Sequence, residues 1–120
     1  MKTIKHREMV ICSDVDDTLI MHDQTLPPKN QIVIKDPYMD HDIYVTPHIK
    51  HIEMLKRYHK QGYFVIIWSA GGAEWAESVA KALKLEEYCD LIIAKPLKYV
   101  DDLEVTEWLN TRVYFPYGTK

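Results

Sequence analysis

Residues 10–20 read VICSDVDDTLI, an apolar run that gives way at Asp14 to three carboxylates, Asp14, Asp16 and Asp17, within four positions. Met9 to Cys12 is a short β-prone stretch of the kind that is buried in a parallel sheet. Carboxylates gathered where such a strand surfaces repel one another, so the arrangement is costly unless a cation or a reaction uses it.

The rest of the chain repeats the same grammar. Phe64 to Trp68 is a second apolar run that stops at small residues, Ser69 to Gly72, and DLIIAKP supplies a third that stops at Lys95. KYVDD reads as a short fourth strand ending at Asp101-Asp102, and Arg112 to Phe115 as a last one. Between them, Ile49, Ile52, Leu55 and Tyr58 recur at helical spacing, with Thr46 as N-cap, Pro47 at the first helical position and Gln61-Gly62 as the stop. Ala73 to Lys84 is a second helix with Trp75, Val79 and Leu83 on one face, and Leu103 to Asn110 a short third. Residues Met21 to Lys29 are polar and read as loop. Ile32 to Ile34 and Ile43 to Val45 flank a turn-rich centre at Asp36 to Asp42, which predicts a hairpin over residues 31–46. Strands alternating with helices predict an α/β fold, a Rossmann-like three-layer sandwich with a mainly parallel sheet, helices on both faces and a small hairpin flap. Ligands of such sheets collect at the carboxyl ends of the strands. Every polar cluster named above falls at one of those ends.

Bulk composition narrows the chemistry. At 120 residues and 47% hydrophobic content, the chain has the size and make-up of a single globular domain. Fifteen Lys and Arg against 18 Asp and Glu leave a net charge of −3, which gives no long-range attraction to nucleic acid or to an anionic membrane. The apolar runs fall far short of the ~20 residues that span a bilayer, and MKTIKHREMV lacks the apolar core of a signal peptide. A cytoplasmic location is the expectation. Cys12 and Cys89 lie in or beside apolar runs and read as small buried hydrophobes in a reducing compartment. The six histidines show no zinc spacing and read as surface residues, and the basic face of Lys50, Lys56, Arg57 and Lys60 reads as solvated.

The four polar clusters, in this order, resemble the motifs of the haloacid dehalogenase superfamily of phosphohydrolases. Its first motif, an apolar strand followed by Asp-x-Asp-x-Thr, is matched by Asp14-Val15-Asp16-Asp17-Thr18; its second, a strand ending in Ser, by FVIIWS at Ser69. Its lysine is matched by Lys95 and its acidic pair by Asp101-Asp102, so the resemblance covers most of Met9 to Asp102. It implies Asp14 as nucleophile, with an Asp at position 16 as in phosphatases, and Mg²⁺ held by Asp14, the Asp16 carbonyl and Asp101, Asp102 acting through water. The residue types make chemical sense. A carboxylate approaches a phosphoryl group only when cations offset both charges, and Mg²⁺ prefers oxygen ligands. Asp16 is the candidate general acid and base. Ser69, with main-chain N–H groups at Ala70 and Gly71, suits phosphoryl oxygens, and Lys95 suits their charge. Lys98 competes with Lys95. Asp17 and Thr18 read as turn residues that steady the loop.

Neither gap between motifs has room for a large cap, so an open site is expected, with the hairpin tip Pro37 to Asp42 as its only flap. Openness allows a large phosphorylated substrate or a small one closed over by a second subunit. Two other readings use the same residues: a non-catalytic phosphate-binding or regulatory protein, and a receiver-like phosphoacceptor. In a receiver domain the acceptor lies on the third strand, whereas Asp14 follows the first.

Overall fold

The computed structural model describes residues 9–23 and 28–117. The sequence-predicted loop of residues 21–29 therefore falls partly outside it. Three parallel strands, β1 (Val10–Ser13), β5 (Phe64–Ser69) and β6 (Leu91–Ala94), form one sheet in the order β1-β5-β6. Ser13 pairs with Ile67 and Ser69 with Ala94, so the carboxyl ends of β1, β5 and β6 open on the same side. The short β2 (Ile20–Met21) joins β3 (Ile32–Lys35) and β4 (Asp42–Pro47) in a second, antiparallel sheet in the order β2-β4-β3. The α/β, Rossmann-like class and the hairpin are as expected. The two-residue β2 is an addition that no periodicity could have announced.

Two helices link the parallel strands: α1 (Ile49–Lys60) between β4 and β5, and α2 (Ala73–Ala82) between β5 and β6. Ile52 and Leu55 of α1 and Trp75, Ala76, Val79 and Ala80 of α2 join Val65 and Ile67 of β5 in one buried cluster. Phe64, Ile66 and Trp68, on the other face of β5, are only half-buried. Both helices thus pack on one face of the sheet rather than one on each. Each fully buried aliphatic side chain here contributes roughly 1.5–3 kcal/mol.

Several local expectations are corrected. Thr46 and Pro47 stay in β4, paired with Met21 and Ile20, and the cap of α1 is His48, whose side chain accepts the His51 N–H. Sheet pairing outcompetes a cap that spacing alone favoured. α2 ends at Ala82, and Lys84 takes a left-handed φ of 57° as the chain turns. No strand forms at KYVDD: Val100 and Leu97 are fully exposed, so no apolar face exists to hold one against β1. The helix expected over Leu103 to Asn110 shrinks to a 3-10 turn at Val105–Glu107, fastened by reciprocal bonds between Glu104 and Glu107. Arg112 to Phe115 is not a strand either; side chains of α1 hold it.

Candidate active site

β1 delivers Asp14 at its end, and the turn that follows winds around a buried residue. The main-chain N–H groups of Thr18, Leu19 and Ile20 all donate to the Val15 carbonyl, at 3.2, 2.9 and 3.3 Å. Val15, Leu19 and Ile20 are wholly buried, so this turn is anchored in the core. Asp17 takes the tight position with a left-handed φ of 59°, and its carboxylate accepts the His22 N–H at 3.1 Å. Asp is one of the few side chains that tolerate that conformation. Thr18 donates its hydroxyl to Asp14 Oδ2 at 3.1 Å. Asp17 and Thr18 therefore have the structural parts expected of them, and Asp14 Oδ1 is left on the side of Lys95.

Asp16 is held from three directions. The Trp75 indole N–H lies 3.0 and 3.3 Å from its two oxygens, His22 Nε2 lies 2.7 Å from Oδ1, and the Ser69 hydroxyl lies 3.4 Å from Oδ2. Trp75 sits in the first turn of α2, and as a buried indole it needs a partner for its one donor. Its apolar spacing identified it as core, which it is, but gave no sign of the bond to Asp16. Ser69 is fully buried, and its Oγ also accepts the Gly71 N–H at 2.9 Å. Ser69 and Gly71 thus bind each other, while Ala70 is exposed. A Cβ on Gly71 would come within 3.0 Å of Trp75 Cδ1 and 3.3 Å of Ser69 Oγ, so a side chain there would press the indole and the hydroxyl by a few tenths of an ångström.

β6 carries Lys95 to the site, its main-chain N–H fastened to the Ser69 carbonyl at 2.8 Å. Lys95 Nζ is 3.9 Å from Asp14 Oδ1. Lys98, the competitor, is exposed on the segment beyond, as are Asp101 and Asp102. Asp101 instead accepts the Leu103 N–H at 2.9 Å. With no strand at KYVDD, the acidic pair sits in irregular chain beyond β6. Among the described residues no group of three or more His, Cys, Asp or Glu is placed to hold a metal ion. Mg²⁺ asks for less, since one or two carboxylates with water and substrate phosphate complete its shell. Asp14 and the Asp16 carbonyl are hard oxygen donors of that kind, both at the end of β1. Cys12 lines the same cavity, but burial pushes its thiol above the ordinary value, which makes it a poor nucleophile there.

The cavity of about 640 Å³ beside Asp14 and Lys95 has a wall that was not expected. Residues Leu109 to Tyr114 line it, while the hairpin tip rests elsewhere, with Tyr38 donating to Glu74 of α2 at 2.9 Å. The expectation that the tip is the site's only flap is thus overturned, as is the reading of all histidines as surface residues. His48 and His51 are 2% and 1% exposed, and their rings stack at 3.6 Å. His51 Nδ1 lies 2.7 Å from the Thr18 carbonyl and its Nε2 accepts the Phe115 N–H at 2.8 Å, so the proton sits on Nδ1. His48 Nδ1 accepts from the His51 N–H at 3.3 Å, and its Nε2 donates to the Phe115 carbonyl at 2.6 Å. Only a three-residue spacing on α1 hinted that the two rings share a face.

A family model described as NLI interacting factor-like phosphatase matches residues 9–104. Searches of curated proteins and of solved structures returned no match. The matched span begins at the residue before β1, takes in Asp14, Asp16, Ser69, Lys95 and the acidic pair, and ends before the Leu109 to Phe115 segment. Matched over most of its length, the chain belongs to the NLI interacting factor-like phosphatases, a family of the haloacid dehalogenase type.

Proposed function

We propose that the protein is a Mg²⁺-dependent phosphomonoester hydrolase that works through an aspartyl-phosphate on Asp14, the whole chain acting as one capless hydrolase domain in the cytoplasm. The observation that carries the proposal is the meeting of Asp14 Oδ1 with Lys95 Nζ at 3.9 Å, beside Asp16, where parallel strands end. Asp14 Oδ1 attacks phosphorus as the bond to the leaving oxygen breaks, and protonated Asp16 gives that oxygen its proton. Asp16, now a carboxylate, takes a proton from water; the water oxygen attacks the same phosphorus, and phosphate departs with Asp14 restored. Thr18 fixes the Asp14 carboxylate through Oδ2, Trp75 and Ser69 orient Asp16, and the Lys95 ammonium offsets the phosphoryl charge. Mg²⁺, held by Asp14, the Asp16 carbonyl and Asp101, would neutralise further charge.

Asp14→Asn tests the assignment, because it removes the attacking oxygen at nearly constant volume. Turnover of an aryl phosphate is expected to fall by about three or more powers of ten, with the thermal midpoint little changed. Near wild-type turnover in the folded variant would eliminate Asp14 as the nucleophile. Binding of phosphate without turnover by the wild-type protein would favour the regulatory reading.

A further inference from the structure

Three groups in the molecule stand outside the proposed chemistry: the stacked histidines, the segment they hold, and the apolar part of the cavity that this segment closes. They form one device. The cavity is lined by Asp14 and Lys95, by the apolar side chains of Met54 and Leu55 of α1, and by Val113 and Tyr114 together with the polar Asn110, Thr111 and Arg112 of the same segment. The segment carrying Val113 and Tyr114 has no sheet or helix of its own. Its position rests on Phe115, whose N–H and carbonyl are both bound, by His51 and His48 respectively, and on the Tyr114 hydroxyl, which donates to the Asp17 carbonyl at 3.2 Å. Lys50 lies 4.7 Å over the Phe115 ring and Arg112 lies 4.8 Å over that of Tyr114, which adds cation–π contacts to the same strap. His51 also holds the Thr18 carbonyl, so one buried ring joins the nucleophile turn, α1 and the strap.

We propose that residues Leu109 to Phe115 are the specificity strap of this site: latched by His48 and His51, they form the leaving-group wall and select phosphomonoesters whose leaving group presents an aromatic ring. This deepens the phosphatase reading and rests on it; the strap itself lies beyond the matched family span, while the two histidines lie within it. The recognition chemistry is a ring received between apolar side chains and the Tyr114 ring, with the phosphoryl group at the Asp14–Lys95 end. A methyl leaving group has no ring to offer that wall. His48 and His51 are positioning residues, acting on substrate only through the strap.

The experiment compares benzyl with methyl compounds in the full chain. Benzyl phosphate is expected to show a kcat/KM about tenfold or more above that of methyl phosphate, and benzylphosphonate to bind more tightly than methylphosphonate by a similar factor, as one ring in an aromatic contact provides. Tyr114→Ala, at a half-exposed position, should collapse both ratios. His48→Phe keeps a ring in the stack but loses the bond to the Phe115 carbonyl; it should speed hydrogen exchange at the Phe115 amide, spare the amides of β5 and lower the same ratios. His48→Gln, which retains an N–H donor, should restore most of the protection. Equal affinities for the two phosphonates, ratios unmoved by Tyr114→Ala, or a Phe115 amide that exchanges in the wild type as fast as an unstructured one would each overturn the strap. If neither phosphate turns over while the phosphonate preference and its loss in Tyr114→Ala stand, the phosphatase reading fails and the strap survives.

Discussion

At the scale of the residue, Asp14 and Asp16 of the opening motif are held by different partners, which suits them to the different roles proposed for them. Asp14 has one oxygen bound by Thr18 and the other beside Lys95, the environment of an anion kept ready. Asp16 faces an indole N–H, a hydroxyl and an imidazole nitrogen, which orient it without a fixed cation among those three. If Asp16 protonates the leaving oxygen, Asp16→Asn is expected to slow alkyl phosphates far more than an aryl phosphate, whose leaving oxygen scarcely needs a proton. If Asp16 also activates water, as proposed, the variant should accumulate phosphorylated Asp14, seen by mass after a rapid quench. Equal losses in the pre-steady-state step on both substrates would remove Asp16 as the acid.

The element scale shows how the hairpin is tied to the catalytic layer. Gly72, the residue before α2, has a φ of 103°, and a Cβ there would run into the Tyr38 hydroxyl. Tyr38 comes from the turn between β3 and β4 and donates to Glu74, so the hairpin tip is fastened to the start of α2. Gly72→Ala meets two costs, a backbone conformation that disfavours L side chains and displacement of Tyr38. A loss of about 1–3 kcal/mol in unfolding free energy is expected, read from the denaturant midpoint. Adding Tyr38→Ala should recover the part due to the clash and leave the backbone part, a coupling that a double-mutant cycle measures. Strictly additive effects would show that the hairpin tip and α2 are energetically independent.

Across the whole molecule, His51 is expected to link the hold on residues Arg112 to Phe115 to pH. Burial depresses His51 below its ordinary value of 6.5; the bond to the Thr18 carbonyl works against this, and the charges of His48 and Lys50 add to the depression. A depressed folded pKa means that the unfolded chain takes up the proton first as pH falls. Stability linked to His51 is therefore fully present above about pH 6.5 and is lost progressively as pH falls below it. A second proton on His51 would also set an N–H against the Phe115 N–H. The thermal midpoint and the protection of the Phe115 amide are expected to fall together between pH 7 and 5, and His51→Gln, which has no proton to gain, should flatten both profiles. A wild-type midpoint constant over that range would contradict the linkage.

The sequence by itself determined the elements that local patterning governs: β-prone runs at β1, β5 and β6, helical spacing on α1 and α2, the hairpin, and the order of Asp14, Ser69 and Lys95 along the chain. A strand end is a local event, and each of these residues follows one directly, so their convergence came with the parallel sheet. The tertiary structure alone decided what depends on partners far along the chain. Thr46 and Pro47 were claimed by β2 before a helix could use them, and Trp75 found its acceptor 59 positions away, in Asp16. Asp101 and Asp102 lie in irregular chain because a strand forms only where a neighbour and an apolar face receive it, and Val100 is fully exposed. His48 and His51 looked like surface residues because a histidine is buried only when both ring nitrogens are satisfied. Apart from the nearby His51 N–H that His48 accepts, their partners, the Thr18 carbonyl and both main-chain groups of Phe115, lie 33 or more residues away and have no side-chain signature.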